Sequence, residues 1–599
     1  MVAVSGFVLL ALVFWSFGDR ISGWARLRVE NAGGRFALSA ALSYGAVTLA
    51  VFLLATLRAV TFLTCAGVVV AMAAISFREL RSNAAALLQG LKGVEWKGVL
   101  WPRGGWQAWA VWLSGLIVLL GLVQALAPVT GMDTGRMHFA AVKIMLGEHG
   151  LSPRPEVWFH RTGGFYMVYL FGMALQGEAL AKLLSFGVSP LALLLVAQGS
   201  ERLRAGTGRI AAAGLALTPL FTGFTGYEYL ELPVLMYLLA AFLAFERYRT
   251  EGGLGWAVAA AALTGFAVGV KVTAFPVLVF LIPLLLAALR REGSRAVLTV
   301  GAGALAFFIP AGFWAVWNWA TTGSFAYTYL DGATPDDPIV QLGYRRLPGF
   351  FFILGSLVTT SEYWIDSAGP WVIAALGGLC LFRVPRESRR PALLVLGAVL
   401  FYAAVLEVRL PAYLFVDAHA RYLGPCLLGF GTLAAAPFFS WAQGGAPWLR
   451  AVLAAALLLP AAPLVALKAG KAVVAAPAAF GLESRSHYLS KKIETFEACE
   501  VLNALPDQDV KVLFLAQRPY YLDRPMVFET FWTGLRNRED FVRRIREMNV
   551  THVLFEPELI PFPWFKDVDG IFKAPMFREM GRWPWKQRDW VRLYAVEKP

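Results

Sequence analysis

Apolar residues in this sequence are grouped in long runs, and short polar segments separate these runs. Each run is roughly 17–22 residues long, which is the length that crosses a bilayer as an α-helix. The apolar set makes up 58% of the 599 residues and the charged set 16%, a composition that excludes an ordinary soluble protein. The pattern predicts a mainly α fold, a polytopic transmembrane bundle of about 14 helices. The predicted spans are 2–18, 36–57, 59–77, 107–127, 180–199, 208–224, 229–246, 254–270, 273–290, 296–319, 366–382, 391–407, 420–440 and 451–467.

The segment 163–177 is apolar but short for a complete crossing. The charge pattern requires an odd number of crossings between the preceding loop and the basic residues at 201–204. We therefore predict that 163–177 is a helix that dips into the outer leaflet, and that 180–199 is the true span.

The pattern changes after Leu467. Segments 510–515, 551–555 and 591–596 have the composition of strands, and 538–548 has apolar residues at helical spacing. We therefore predict a small C-terminal α/β domain of ordinary size. The predicted parts are 1–106, with additional N-terminal helices and a cytoplasmic loop; 107–467, a transmembrane core with outer loops 128–162 and 320–365; and 468–599, a soluble extracytoplasmic domain.

The basic residues are distributed unevenly. The formal net charge is +14, and the first 467 residues contain 33 basic and 22 acidic residues. Most of these basic residues fall in loops that are cytoplasmic if the N-terminus is outside, as the positive-inside rule requires. The charge therefore indicates an orientation in a bacterial cytoplasmic membrane, with membrane lipids as neighbours, and not binding of nucleic acid.

Groups capable of acid–base chemistry are concentrated in the predicted outer loops, and no histidine falls in a predicted cytoplasmic loop. The sequence lacks a G-x-x-x-x-G-K-[ST] loop and a strand–G-x-G-x-x-G–helix context, so a nucleotide has no recognisable site. An outer-face reaction must then use a substrate that arrives already activated, and a lipid-linked phosphate ester meets this need. The four cysteines lie far apart and indicate neither a zinc site nor a disulfide framework.

Five segments, in this order and all on the outer face, resemble segments of GT-C glycosyltransferases. The first outer loop has an acidic residue, Asp133, just after a span, followed by an aromatic helix and the run GEALAKLL at 177–184. A second acidic residue precedes a helix in YLELPVLMYLL at 229–239, and a Gly-rich helix ends in Lys271. The remaining two are NWATTGSFAYTYL at 318–330 and HARYLGPCLLGFG at 419–431. None is specific alone, but their order and common placement are more specific.

The resemblance implies an inverting transfer of a sugar from a polyprenyl phosphate to an acceptor hydroxyl or amine, as in protein mannosyltransferases and aminoarabinose transferases. The acceptor is a glycan, a lipid or a protein. A glycosyl phosphate leaves as a stabilised anion, so the enzyme must mainly deprotonate the acceptor and stabilise the departing phosphate. The resemblance implies that Asp133 is the general base and that Glu231 is a second catalytic acid, which orients acceptor or sugar.

Cations on the same face are candidates for holding the donor phosphate, because ammonium and guanidinium groups bind phosphate oxygens. The second outer loop is long enough to close over a lipid. The phosphate candidates are Lys271, Arg421, His419, Tyr344, Arg345 and Arg346. Candidates for contacts with acceptor or sugar are His138, His160 and Glu228.

Several of these residues also have an ordinary structural explanation. Asp133 could be a helix N-cap, and Glu231 could be a solvated glutamate at the positive end of a helix. Lys271 could extend to the membrane interface, and Arg421 could pair with Asp417.

Two other functions stay open: a transporter or flippase of lipid-linked sugars, and an O-antigen-ligase-like enzyme. A transporter is expected to have charges inside its spans and inverted repeats, and neither is evident here. A divalent cation held by Asp133, His138, His149 and His160 is the less favoured alternative, because their spacing matches no compact ligand motif. We expect no other cofactor.

Overall fold

The computed structural model describes residues 2–92, 106–153, 163–325, 386–407, 419–443, 447–527, 535, 537–556, 568–585 and 588–597. The helices form a bundle, and a C-terminal α/β domain covers one end of it, called the domain side below. The helices are α1 (Val2–Trp24), α2 (Ala32–Thr56), α3 (Phe62–Ile75), α4 (Phe77–Lys92), α5 (Trp106–Leu126), α6 (Phe139–Gly147), α7 (Tyr166–Gln176), α8 (Glu178–Leu203), α9 (Gly208–Ala216), α10 (Pro219–Phe224), α11 (Glu231–Glu251), α12 (Leu254–Val270), α13 (Leu281–Glu292), α14 (Ala296–Thr322), α15 (Arg386–Glu407), α16 (His419–Gln443), α17 (Pro447–Leu458), α18 (Ala461–Ala479), α19 (Arg485–Lys492), α20 (Phe496–Ala504), α21 (Arg538–Glu547) and α22 (Val568–Phe572).

Within the described ranges, seven helical segments are long and apolar enough to cross a membrane, or eight if the bent pair 62–75 and 77–90 forms one span. This confirms the predicted polytopic helical class. The predicted spans correspond to helices wherever the chain is described, and α12 coincides with 254–270. The predicted span 366–382 lies outside the described residues.

Three spans differ in detail from the prediction. The segment 208–224 is two helices, because Pro219 starts α10 after the N-cap residue Thr218. The segment 273–290 begins with a 3-10 helix at Val272–Phe280 before α13. The last span is α17 followed by α18, which continues past the expected end at Leu467 to Ala479.

Helix α7 explains the short apolar segment at 163–177. It has 11 residues, and those from Tyr166 to Met173 are buried. Eleven residues rise only about 16 Å, which is about half of a bilayer's hydrocarbon core. The helix therefore ends inside the bundle, and Gly177, with φ 76°, turns the chain into α8.

The N-terminal helices are packed into the bundle. Helix α2 contacts α7 and α8, and the Tyr44 hydroxyl donates to the Leu184 carbonyl at 2.8 Å. At the opposite end, Asp19 accepts hydrogen bonds from Arg35, Ser39 and Asn83. These contacts join α1, α2 and α4 to each other and α2 to the core.

Among its described residues, the C-terminal domain has a five-stranded sheet in the order β2-β1-β3-β5-β4. Strand β1 is parallel to β2 and β3, whereas β5 is antiparallel to β3 and β4. The three predicted strands are β1, β3 and β5, and the predicted helix 538–548 is α21. Strands β2 and β4 are the two edges and were not predicted. The strands are β1 (Val512–Leu515), β2 (Met526–Val527), β3 (His552–Phe555), β4 (Phe577–Trp585) and β5 (Arg588–Val596).

Candidate functional site

The two predicted site residues Glu231 and Lys271 form an ion pair on the domain side. Glu231 is the first residue of α11, and Lys271 follows the last residue of α12. The lysine Nζ lies 2.7 Å from Glu231 Oε1, and the two side chains are 20% and 2% exposed, respectively. A buried carboxylate is strongly disfavoured without such a partner. The antiparallel packing of α11 and α12 thus explains how residues 40 positions apart meet.

The first loop on the domain side reaches this pair through a close backbone contact. The Gly164 amide donates to the Gly269 carbonyl at 2.9 Å, two residues before Lys271. A Cβ atom on Gly164 would lie only 2.6 Å from that carbonyl oxygen, so the contact requires glycine. Helix α7 begins two residues later, and its Tyr166 hydroxyl lies 2.8 Å from His138 Nδ1. This places buried His138 on the same side of the bundle as Glu231 and Lys271.

Asp133 lies one helical turn before His138. It occupies the N-cap position of a short π-helical segment, Thr134–His138, but its side chain makes no capping hydrogen bond. Capping therefore does not account for this half-buried carboxylate. Two residues after Asp133, Gly135 faces the aliphatic part of the Arg518 side chain, which belongs to the C-terminal domain. The domain thus forms one wall beside Asp133.

A second buried ion pair lies between α8 and the turn before α11. Lys182 Nζ is 3.3 Å from Glu228 Oε1, and the side chains are 3% and 1% exposed. Lys182 also donates to the Ala127 carbonyl at 2.6 Å. Glu228 was expected to contact acceptor or sugar, and that stays a prediction; the contact found in the structure is with Lys182.

Glu178 joins the bundle to the C-terminal domain. Its carboxylate accepts hydrogen bonds from the Val129 amide at 2.6 Å, from Arg485 at 2.6 Å and from the Tyr520 hydroxyl at 3.0 Å. Burial and the Glu178 charge raise the pKa of the Tyr520 phenol, so this group donates as a neutral hydroxyl. Lys143 strengthens the junction by donating to the Tyr520 carbonyl at 2.7 Å.

Sequence reasoning assigned no role to Glu178, Lys182 or Lys143. The run GEALAKLL contained a usable signal, because Glu178 and Lys182 lie one turn apart at the start of an otherwise apolar helix. Charged residues in such a position have specific partners more often than not.

We expect Glu178→Ala to loosen the domain junction. The change removes three hydrogen bonds, one of them to a guanidinium, and such charge-assisted bonds contribute about 1.5–3 kcal/mol each. Limited proteolysis in the linker after α18, where Leu482 is exposed and Gly481 has a positive φ, should therefore be faster. Glu497→Ala, on the exposed face of α20, is the matched control; equal cleavage rates in both variants would contradict the assigned role.

The end of the same loop is fixed by the N-terminal helices. The Leu151 amide donates to the Ala55 carbonyl at 2.8 Å, and the Val60 amide donates to the His149 carbonyl at 2.8 Å. Between them, Gly150 lies so close to the α2 end that an added Cβ would be 2.9 Å from Arg58 Cα and closer still to the Ala55 carbonyl. The connection between α2 and α3 therefore determines where this loop ends.

Gly150→Ala is expected to separate the loop from α2. The added Cβ would meet backbone atoms of Ala55 and Arg58, and backbone atoms cannot move aside as a flexible side chain can. Overpacking of this kind costs about 1–3 kcal/mol, which should lower the unfolding midpoint of the purified protein. Gly147→Ala is the matched control, since nothing lies within 4 Å of its added Cβ. A midpoint for Gly150→Ala that equals the control's would show that the contact is unimportant.

The remaining predicted site residues lie wholly or partly outside the described residues. His160, Tyr344, Arg345 and Arg346 are not described, and for His419 and Arg421 only the helical backbone of α16 is described.

His149 Nδ1 lies 3.2 Å from the Val60 carbonyl, away from the His138–Tyr166 contact. Within the described ranges, no group of three or more His, Cys, Asp and Glu side chains has a metal-binding arrangement.

No family model and no curated protein sequence matches the chain. ArnT from Cupriavidus metallidurans, solved with undecaprenyl phosphate bound, is 14% identical with a TM-score of 0.51, over 82% of this chain and 99% of ArnT. Its apo form is 15% identical with the same TM-score and coverage.

A third structure is the Archaeoglobus fulgidus oligosaccharyltransferase tethered to an acceptor peptide with the NVT sequon. It is 12% identical over 81% of this chain and 74% of its own, with a TM-score of 0.40. The match to ArnT covers nearly all of that chain. The predicted resemblance is therefore confirmed in the fold: this chain has the GT-C fold of ArnT.

Proposed function

We propose that this protein is an integral-membrane glycosyltransferase that uses a polyprenyl-phosphate sugar. The observation that carries the proposal is the buried Glu231–Lys271 pair, on the same side of an ArnT-like fold as Asp133. The ArnT structure contains undecaprenyl phosphate, a lipid of the same chemical class as the product that such a transfer would release. The fold and the residue pattern support the same reaction.

In the proposed reaction, an acceptor oxygen or nitrogen attacks the anomeric carbon of the donor sugar. The bond from that carbon to the phosphate oxygen breaks, and its electron pair leaves with the polyprenyl phosphate. Asp133 takes the acceptor proton, and attack from the face opposite the phosphate inverts the anomeric configuration. One carboxylate is sufficient as base, because the leaving phosphate needs no protonation.

Lys271 is the proposed cation for the phosphate. An ammonium has three N–H donors, and one of them is used on Glu231. We propose that this ammonium also binds phosphate oxygens while Glu231 holds it in place. The proposed role of Glu231 thus includes positioning Lys271, besides orienting acceptor or sugar. Arg421, His419 and the three residues Tyr344, Arg345 and Arg346 stay proposed phosphate contacts, and His138 and His160 proposed sugar or acceptor contacts.

The proposed orientation puts the C-terminal domain and the site outside the cytoplasm. It rests on the basic loops, and the described ones lie at the opposite end of the bundle from the domain. For example, Arg202 lies near the end of α8, and Arg247 and Arg249 lie near the end of α11. These arginines pair there with Glu251 or Glu246. In a bacterial cytoplasmic membrane this places the reaction at the outer face.

The test is incubation of the purified protein with a panel of polyprenyl-phosphate sugars and candidate acceptors. The expected result is acceptor-dependent release of free polyprenyl phosphate from at least one donor, and a product whose anomeric configuration is inverted. Transport of a lipid-linked sugar across vesicle membranes without cleavage would instead support a flippase and contradict the proposal.

A further inference from the structure

Two lysines of α18 lie against one tyrosine on the domain side of the bundle. The Nζ atoms of Lys468 and Lys471 are each 5.6 Å from the centre of the Tyr227 ring, so they lie within twice that distance of each other. Lys468 also donates to the Thr225 carbonyl. The Tyr227 ring in turn packs near Gly131, two residues before Asp133. The lysine cluster therefore flanks the Asp133 turn from the side of α18.

The position of Lys468 excludes simple extension into water. Its side chain is only 2% exposed, whereas a lysine that extends to the interface keeps its ammonium solvated. In the described part of the chain, no carboxylate forms an ion pair with either ammonium, and the main electrostatic neighbour of Lys468 is Lys471. The adjacent carboxylate, Glu228, is occupied by Lys182.

Burial and mutual repulsion disfavour the charged forms of two neighbouring lysines, so an opposite charge is needed to keep both protonated. The aromatic face of Tyr227 and the Thr225 carbonyl stabilise the ammonium groups in part, but neither carries a negative charge. A buried charge without an opposite charge is costly, and a second like charge increases that cost. An anion that contacts both lysines would remove this imbalance.

The surroundings of the cluster indicate how the anion arrives. Helix α18 is part of a segment apolar enough to cross a membrane, and Leu467, Val473 and Val474 on it are exposed. Exposed apolar side chains at this position contact lipid tails, so an anion beside them is carried on a lipid. We propose that Lys468 and Lys471, which both contact the Tyr227 ring, bind the phosphate group of an anionic lipid that lies against α18.

The experiment uses the purified full-length protein in detergent and measures the unfolding midpoint as lipid is added. The probes are phosphatidylglycerol, undecaprenyl phosphate and the zwitterionic phosphatidylcholine. In Lys468→Met/Lys471→Met, the apparent Kd for the anionic lipid is expected to rise about tenfold or more. The loss of one hydrogen bond to a charged group alone corresponds to about a tenfold loss of affinity. Lys491→Met, a largely exposed lysine of the C-terminal domain, is the control and should leave the Kd unchanged.

The three lipids distinguish the source of the phosphate. A change confined to phosphatidylglycerol identifies a bulk phospholipid, and a change confined to undecaprenyl phosphate identifies the polyprenyl lipid. Wild-type affinity of the double variant for both anionic lipids, or an equal dependence for phosphatidylcholine, overturns the proposal. Lys471→Met alone, at a half-buried position, provides the same comparison if the double variant does not fold. None of these outcomes depends on glycosyl transfer.

Discussion

Asp133→Asn is expected to lower the turnover number for sugar transfer by about 10²- to 10⁴-fold, the usual contribution of a positioned general base. Asparagine has nearly the shape of aspartate but cannot accept the acceptor proton. Since the Asp133 side chain makes no capping hydrogen bond, the change should leave the helical turn 134–138 intact. The measurement is release of polyprenyl phosphate from the donor found active in the panel.

Two further observations separate loss of the base from loss of structure. The unfolding midpoint of Asp133→Asn, and its increase on addition of donor, should equal those of the wild type. Asp509→Asn, in an exposed turn of the C-terminal domain, is the matched control and should retain full activity. Full activity in Asp133→Asn would remove this residue from the mechanism, whatever the reaction.

Lys182→Met is expected to destabilise the protein by about 3–5 kcal/mol, the usual cost of removing one partner of a buried ion pair. Glu228 then remains buried at 1% exposure without its ammonium. Neutralising both groups in Lys182→Met/Glu228→Gln should restore most of the loss, because an uncharged amide is less costly to bury. The unfolding midpoints of the two single variants and the double variant form the measurement.

The penalty in Lys182→Met should also depend on pH. Burial raises the pKa of the Glu228 carboxyl, and Lys182 opposes this increase, so its removal raises the pKa further. A carboxyl with a raised folded-state pKa binds its proton more tightly when folded, so the protein loses stability as the pH rises through that pKa. The midpoint difference from wild type should therefore be larger at about pH 8 than at about pH 5. A difference independent of pH would indicate that lost packing, and not the unpaired charge, is responsible.

The helical part of the fold could be predicted because span length and hydropathy are local properties of the sequence. Residues 254–270 are helical from end to end as expected, and even the short helix α7 could be inferred from its length and the flanking charges. Strand β4 could not be predicted, because Gly581 and Pro584 interrupt its pattern. Proline is tolerated there because β4 is an edge strand and its pairing with β5 is irregular between Pro584 and Trp585.

The candidate site could be predicted only as a set of residue types on one face. That Glu231 binds Lys271, and that Glu228 binds Lys182 instead, depends on how α8, α11 and α12 pack. Residues 40 or more positions apart carry no local signal of such pairing. The same is true of Glu178, whose three partners come from the first loop and from two segments of the C-terminal domain.

The hydrogen bonds that join Ala55 to Leu151 and Val60 to His149 have a consequence for biosynthesis. All their N-terminal partners leave the ribosome before residue 151, so this loop can dock as soon as it is inserted. The C-terminal domain, which holds the opposite side of the same loop through Lys143, is made more than 300 residues later. Since chains generally fold from the N-terminus during synthesis, the Asp133 segment would be anchored first by membrane helices and enclosed only after the C-terminal domain has been made.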